Sequence, residues 1–305
     1  MNKTVFAHIS LFFANLIYAL NYTFAKDVMP DFIQPSGFIL LRVLGAVILF
    51  SISYFVFVRE KVQTKDLIHL AICGVFGVAI NQLLFFEGLN LTTPINAAII
   101  LTTNPVLVMI ISFFILKESI TFRKGLGITL GIIGASILIL NDGNFSGNAN
   151  FMLGNLFVFI NALSYGLYLV FVKPLMQKYH PITVMFYVFA FGLLYVLPFG
   201  YHELSVVDFS SFPLKIIWEV LFVVVCTTFI AYLLNSVALQ KLNPSTVSIY
   251  IYLQPILASL FAIFWGSDAL DGQKIIAAIF IFFGVKTTFY ILRQGQPRTA
   301  FYCQE

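Results

Sequence analysis

Long apolar segments alternate with short polar ones along the whole chain. A membrane-spanning helix needs about 20 mainly apolar residues. Ten segments of this kind cover residues 4–25, 34–58, 67–88, 94–116, 122–141, 152–173, 182–201, 214–238, 244–265 and 273–292. A membrane β-strand needs only about 9–11 residues of alternating polarity, which these segments lack. The pattern therefore predicts an all-α membrane protein with ten transmembrane helices.

The second half of the chain repeats landmarks of the first half. Pro94, Asn104, Pro105 and Glu118 recur as Pro244, Gln254, Pro255 and Asp268, each 150 residues later. Tyr18 and Lys26 recur as Tyr165 and Lys173, each 147 residues later. These matches predict two copies of one five-helix unit, at residues 1–143 and 144–292, followed by a tail at 293–305.

Basic residues fall mainly on one side of the predicted membrane. If the N-terminus is cytoplasmic, twelve Lys or Arg residues lie on that side, and three, Lys26, Lys215 and Lys274, lie on the other. Because cytoplasmic loops are rich in Lys and Arg, both termini are predicted to be cytoplasmic. Five helices per copy make the second copy enter from the opposite side, so the repeats are predicted to be inverted, as in many secondary transporters.

Composition excludes several classes of protein. With 60% hydrophobic and 10% charged residues and a mean hydropathy of +0.96, the chain needs a lipid bilayer around it. The net charge of +4 gives no indication of nucleic-acid binding. Three widely separated cysteines, Cys73, Cys226 and Cys303, indicate neither disulfides nor a metal site. Motifs of nucleophilic, metal-dependent or phosphate-binding enzymes are missing from the sequence, so we expect no catalysis and no cofactor.

Pro105 and Pro255 lie within two of the predicted helices. A proline inside a helix removes one hydrogen bond and clashes with the carbonyl four residues back, so both helices are predicted to be kinked. Asn104 and Gln254, directly before the prolines, either satisfy the freed backbone groups or face a cavity and bind substrate. Kinked helices at corresponding positions of two repeats are a sequence indicator of a transporter's substrate site.

Polar and aromatic residues recur at helical spacing in several other segments. Residues at this spacing form a stripe along one face of a helix. The candidates for substrate binding on these stripes are Tyr18, Asn81, Gln82, Tyr165, Tyr168, Tyr232, Asn235 and Tyr250. Such a stripe serves either helix–helix packing or a binding surface. Amides are unfavourable against lipid, so these side chains are predicted to face other helices or a hydrated cavity.

Two charged residues, Arg42 and Glu87, fall inside predicted helices. In one interpretation Arg42 attracts an anionic group of the substrate, such as a carboxylate, and Glu87 takes up a proton coupled to transport. In the other, both side chains snorkel to the outer interface or form a structural ion pair.

The proline-led fourth helix with its Asn104-Pro105 step and Glu118 end, the Glu87-Gly88-Leu89 to Pro94 segment and Arg42 resemble the EamA family of the drug/metabolite transporter superfamily. The resemblance ends after Val285, where Lys286 replaces an apolar continuation. It implies a carrier for small metabolites or drugs, often an exporter of amino acids or related compounds, working by alternating access. We therefore expect a secondary transporter of the bacterial inner membrane, with a channel or receptor as the alternative. The sequence does not indicate an oligomeric state.

Overall fold

The computed structural model describes residues 3–92, 97, 100–140, 149–264, 275–276, 279–281 and 283, and this part contains helices and no strand. Six of its helices are long and apolar enough to cross a membrane. The prediction of an all-helical membrane fold is thereby confirmed. Pro94, Asp268, Lys274, Lys286, Cys303, the segment 141–148, the tail 293–305 and most of the predicted segment 273–292 lie outside the described residues.

Nine helical segments are described with bounds. They are α1 Lys3–Val28, α2 Pro35–Val58, α3 Thr64–Leu91, α4 Asn104–Leu116, α5 Phe122–Leu140, α6 Ala149–Lys178, α7 Pro181–Ser205, α8 Leu214–Lys241, and α9, formed by Pro244–Ile249 and Leu253–Phe264. A 3-10 turn at Tyr250–Tyr252 joins the two parts of α9.

Helices α2 and α7 pack against each other along their length in antiparallel directions. At one end the backbone N–H of Gly37 donates to Glu203 Oε2 at 2.8 Å. At the other end the rings of Tyr54 and Phe186 stack with centroids 4.7 Å apart. The helices approach closely because Gly200 of α7 lies against the backbone of α2.

Two further helix pairs complete the core. Gly88 of α3 and Gly154 of α6 adjoin so closely that a Cβ on either would lie 3.0 Å from the carbonyl oxygen of the other. Helix α1 lies against α8, where Asn235 Nδ2 donates to the hydroxyl of Tyr18 at 3.1 Å. Glycine therefore allows close contact between α3 and α6, and a hydrogen bond between polar side chains connects α1 with α8.

The outer surface of the bundle is apolar. Phe57, Phe114 and Trp218 are exposed by 76%, 73% and 64%. Amides and the guanidinium of Arg42 are instead buried inside. This distribution is the one a bilayer requires, because lipid solvates apolar side chains and cannot hydrogen-bond polar ones.

Three helices contain π-helical turns, at Tyr54–Val58 in α2, Val75–Ala79 in α3 and Val223–Ile230 in α8. A π-turn changes the hydrogen-bonding register and is frequent at functional sites. The turns in α3 and α8 directly precede the polar residues that the sequence analysis singled out on these helices. They therefore decide which way those side chains point.

A substitution at the α2–α7 contact tests this packing. In Gly200→Ala the new Cβ would overlap the carbonyl oxygen of Ser36, so we expect a loss of about 1–3 kcal/mol of unfolding free energy, measured by thermal unfolding in detergent. Gly125→Ala is the control, because no atom lies within 4 Å of its added Cβ and alanine favours helix. Equal unfolding midpoints for the two variants would contradict the close packing.

Candidate functional site

A cavity of about 130 Å³ lies inside the bundle, lined by residues of α1–α4, α6, α8 and α9 together with Leu101. Eight of the predicted binding residues line it: Tyr18, Asn81, Gln82, Asn104, Tyr165, Tyr232, Asn235 and Gln254. Arg42 lines it as well. Residues separated by more than two hundred positions in sequence thus meet around one space.

Two predicted binding residues, Tyr168 and Tyr250, do not line the cavity. Tyr168 is 4% exposed and packs its ring against Gly77. The hydroxyl of Tyr250 lies 2.6 Å from His8 Nδ1. Helix–helix packing, one of the two interpretations given for these residues, describes both, because each side chain fills the space between two helices.

Amides and tyrosines form a network across the cavity. Gln82 Nε2 donates to the hydroxyl of Tyr232 at 3.2 Å, and Gln254 Nε2 donates to Asn15 Oδ1 at 2.9 Å. The rings of Tyr18 and Tyr232 meet edge to face, with centroids 6.4 Å apart. These contacts join helices from both halves of the chain and fix the orientation of the lining amides.

The cavity also includes polar residues that were not among the predicted site residues: Asn15, Asn21, Asn161 and Thr227. Asn15 and Asn21 lie three residues on either side of Tyr18, so helical spacing contained their signal. Thr227 is five residues before Tyr232. It joins the same face because this segment is π-helical, with a wider turn, and an α-helical periodicity could not have found it.

Hydroxyl side chains donate to carbonyl groups within two of the π-turns. Ser164 Oγ donates to the carbonyl of Phe76 at 2.7 Å, and Thr228 Oγ1 donates to the carbonyl of Val223 at 2.8 Å. The irregular backbone beside the cavity is thereby stabilised inside the protein, as a low-dielectric environment requires.

Both proline-bearing helices are interrupted next to the cavity. Helix α4 begins at Asn104 with Pro105 in its first turn, after a turn at Thr102 and Thr103. In α9 the 3-10 turn at Tyr250–Tyr252 comes shortly before Pro255. The helix starts place Asn104 and Gln254 at the cavity.

Arg42 is held on two sides within the cavity wall. Its Nε donates to Thr228 Oγ1 at 3.1 Å, and its Cζ lies 4.7 Å from the centre of the Phe86 ring. The side chain is 3% exposed, and its Nη1 has no hydrogen-bond partner in the part of the chain that the structure describes. The N–H groups of Nη1 are therefore not used by any described residue.

Glu87 lies outside the cavity wall and is not paired with Arg42. Its Oε1 accepts a hydrogen bond of 2.7 Å from Ser36 Oγ in the first turn of α2. No described ion pair includes Arg42. The arrangement suits a structural carboxylate, because a negative charge is favourable near a helix N-terminus.

A cluster of polar side chains connects several helices at the end of the bundle where α4 ends and α9 begins. Glu118 forms a buried ion pair with Lys124, and its Oε2 accepts from Ser245 Oγ at 3.0 Å. Nearby, Lys173 Nζ donates to the carbonyls of Leu239 and Leu242 at 2.6 and 2.9 Å. These bonds tie α4 and α5 to α9, and α6 to the end of α8.

Removing one partner of the buried pair tests how firmly this end is held. Glu118→Gln leaves Lys124 buried without its counter-charge, so we expect a loss of about 3–5 kcal/mol in unfolding free energy. Asp27→Asn is the matched control, since the Lys215 side chain that pairs with Asp27 is 70% exposed and such pairs contribute about 0–1 kcal/mol. Thermal unfolding compares the two variants, and similar losses would contradict a special role of the buried pair.

Comparison with known proteins gives a consistent result. The EamA-like transporter family matches residues 5–140 and again residues 152–290. The chain is 23% identical over 251 residues to the uncharacterized transporter YyaM of Bacillus subtilis (strain 168), covering 82% of each chain. It is 22% identical over 206 residues to a probable terminal-alkyne amino-acid exporter of Streptantibioticus cattleyicolor, covering 68% of this chain and 67% of that one.

The fold also has a counterpart among solved structures. One crystal structure superposes with a TM-score of 0.75 at 18% identity, covering 94% of this chain and 97% of the other. Because two family matches together cover most of the sequence and the described helices form an apolar bundle around a polar cavity, the chain belongs to the EamA-like transporter family.

Proposed function

We propose that the protein is a secondary transporter that moves a small organic metabolite across the cytoplasmic membrane of a bacterium by alternating access. The observation that carries the proposal is the cavity between the helices, where polar groups from both halves of the chain converge. Several of these groups have no hydrogen-bond partner among the described residues. A membrane protein retains such groups where a ligand or water satisfies them, because unsatisfied polar groups are costly in a low-dielectric interior.

Ten spans in two inverted five-helix repeats are part of this proposal, with the repeats at residues 1–143 and 144–292 and both termini cytoplasmic. Its support is a pair of hydrogen bonds that each join residues 150 positions apart. Gln82 donates to Tyr232, and the hydroxyl of Tyr252 donates to the carbonyl of Thr102 at 3.1 Å. Residues related by a two-fold axis touch each other only beside that axis, so both bonds support the proposal of such an axis, and the Gln82–Tyr232 bond lies at the cavity.

The repeat-related lysines support an alternating mechanism. Lys173 is buried and donates to two carbonyls at the end of α8. Lys26, its counterpart 147 residues earlier, is exposed and forms no hydrogen bond or ion pair with the described residues. In the proposed topology the Lys173 end is cytoplasmic. Such a difference between equivalent positions is expected of a conformation closed on one side only.

The substrate site is proposed to be formed by the cavity-lining residues of the sequence analysis. Asn104 and Gln254 would contact substrate at the interrupted helices, and Gln82 and Tyr232 would do so on the two-fold axis. Glu87 is assigned a structural role because it does not line the cavity. Export of an amino acid or related compound is the proposed direction and cargo, supported by the similarity to the probable terminal-alkyne amino-acid exporter of Streptantibioticus cattleyicolor.

Counterflow in proteoliposomes tests carrier function. Vesicles are preloaded with an unlabelled amino acid, hydroxy acid, nucleoside, sugar or cationic drug, and uptake of the same compound in labelled form is measured. We expect preloading to accelerate uptake for one class of compound, and the uptake rate to saturate with its concentration. Unsaturable electrical conductance without counterflow would instead establish the channel alternative. Binding without any flux would establish a receptor.

A pair of substitutions on α4 tests the substrate site. Asn104 is 2% exposed and lines the cavity, and its Oδ1 has no hydrogen-bond partner within the described residues. We expect Asn104→Ala to weaken substrate affinity by roughly fivefold to tenfold, the effect of one lost hydrogen bond, measured as the half-saturating concentration in counterflow.

Ser112→Ala is the control for that measurement. Ser112 lies on the same helix and is fully buried, but it does not line the cavity and its Oγ has no hydrogen-bond partner in the described part of the chain. Its substitution is expected to leave affinity unchanged. Equal affinities for the two variants would remove Asn104 from the site.

A further inference from the structure

We propose that the cavity selects a small carboxylate with a single net negative charge and at least one hydrogen-bond donor, such as a 2-hydroxy acid, and that Arg42 binds the carboxylate. This inference rests on the proposed function, because it takes the cavity as the substrate site. Of the cargo proposed above, an amino acid or related compound, it selects the related compound: an organic monoanion that lacks the ammonium group of an amino acid.

The positive charge of Arg42 in the cavity wall favours an anionic substrate. Among the described residues that line it, Arg42 is the only one with a charged side chain; the others are amides, tyrosines, phenylalanines, a threonine and aliphatic residues. A buried charge without a counter-ion is costly. A monoanion would neutralise the site, a cation would add a second positive charge, and a zwitterion would leave the loaded site positive.

The geometry of Arg42 suits a carboxylate. The Phe86 ring and the Thr228 hydroxyl restrain the guanidinium, and Nε is already used as a donor to Thr228. The Thr228 hydroxyl itself donates to the carbonyl of Val223, so its oxygen is oriented to accept from Arg42. The buried Nη1 has no partner among the described residues. A guanidinium held in this way keeps the N–H donors of Nη1 for a charge-assisted hydrogen bond to a carboxylate.

Acceptors on the other walls require a donor on the substrate. Asn21 Oδ1, Gln82 Oε1 and Asn104 Oδ1 are buried and have no hydrogen-bond partner in the described part of the chain. The amide of Gln82 is oriented by its bond to Tyr232, which leaves Oε1 for a ligand. A buried acceptor without a donor costs about 1–3 kcal/mol. A hydroxyl on the substrate would satisfy such an acceptor without adding charge.

The volume of the cavity limits the size of the substrate. At about 130 Å³ it is slightly smaller than the space in which a benzene molecule binds inside an engineered protein, about 150 Å³. A short hydroxy acid fits this space.

Three ligands of nearly equal size test the inference: lactate, alanine and lactamide. They have the same number of non-hydrogen atoms, and at neutral pH lactate is an anion, alanine a zwitterion and lactamide uncharged. We expect isothermal titration of the purified full-length protein in detergent to show lactate, or a 2-hydroxy acid with one or two more carbons, binding at least tenfold more tightly than its amide and its amino-acid analogue.

Variants of Arg42 connect this preference to the guanidinium. Arg42→Gln is expected to abolish the difference between the acid and its amide, and Arg42→Lys is expected to retain part of it because the charge remains. Ser112→Ala, distant from the cavity wall, is expected to match the unmodified protein. The comparison of acid with amide on the unmodified protein needs no variant, so it decides the question even if an Arg42 variant does not fold.

Several outcomes would overturn the inference. They are equal binding of acid and amide, equal binding of alanine and lactate, an unchanged preference in a folded Arg42→Gln variant, and no binding of any 2-hydroxy acid in the series. Saturable counterflow of a neutral or cationic metabolite would overturn the anion selectivity while supporting carrier function. Absence of counterflow with every class of compound would overturn the proposed function itself.

Discussion

The need to satisfy polar groups inside a low-dielectric protein is the constraint on which this structure depends. Lipid offers no hydrogen bonds, so each polar group within the bundle needs a protein partner, a ligand or water. Helical backbone satisfies most peptide groups, and the irregular turns are satisfied by hydroxyls such as those of Ser164 and Thr228. Among the described residues, polar atoms without hydrogen-bond partners belong to Asn21, Arg42, Gln82, Asn104 and Thr227, which line the cavity, and to Ser112, Thr183 and Glu219, which do not.

The helices are interrupted beside the cavity, and these interruptions orient the side chains that line it. The 3-10 turn of α9, the turn before α4 and the π-turns of α3 and α8 all lie beside it. A regular α-helix uses all its own hydrogen-bonding groups and holds its side chains at a fixed spacing. Interrupted helices change that spacing and direct amides from several helices to one point, which continuous helices of the same sequence could not do.

The periphery and the interior of the bundle have different requirements. Outside, apolar side chains such as those of Phe57 and Phe114 need only contact lipid, so many sequences would serve. Inside, close approach of helices requires glycine at positions such as Gly88 and Gly154. Buried charges require partners, which Glu118 and Lys124 provide for each other. Arg42 differs from them because part of its guanidinium has no partner in the described residues, and this difference gives the cavity its charge.

The sequence by itself determined the helical membrane architecture and the family resemblance, because hydrophobic segment length is a local property that does not depend on packing. Helical spacing and the unfavourable contact of amides with lipid also indicated cavity residues such as Gln82, and the proline steps indicated Asn104 and Gln254. Tertiary structure decided which stripe residues reach the cavity. Tyr168 packs against Gly77 and does not line the cavity, whereas Thr227, in the π-helical part of α8, does line it. Neither outcome follows from helical spacing alone. It also decided that Arg42 is not paired with Glu87, because the position of a partner depends on how the helices assemble.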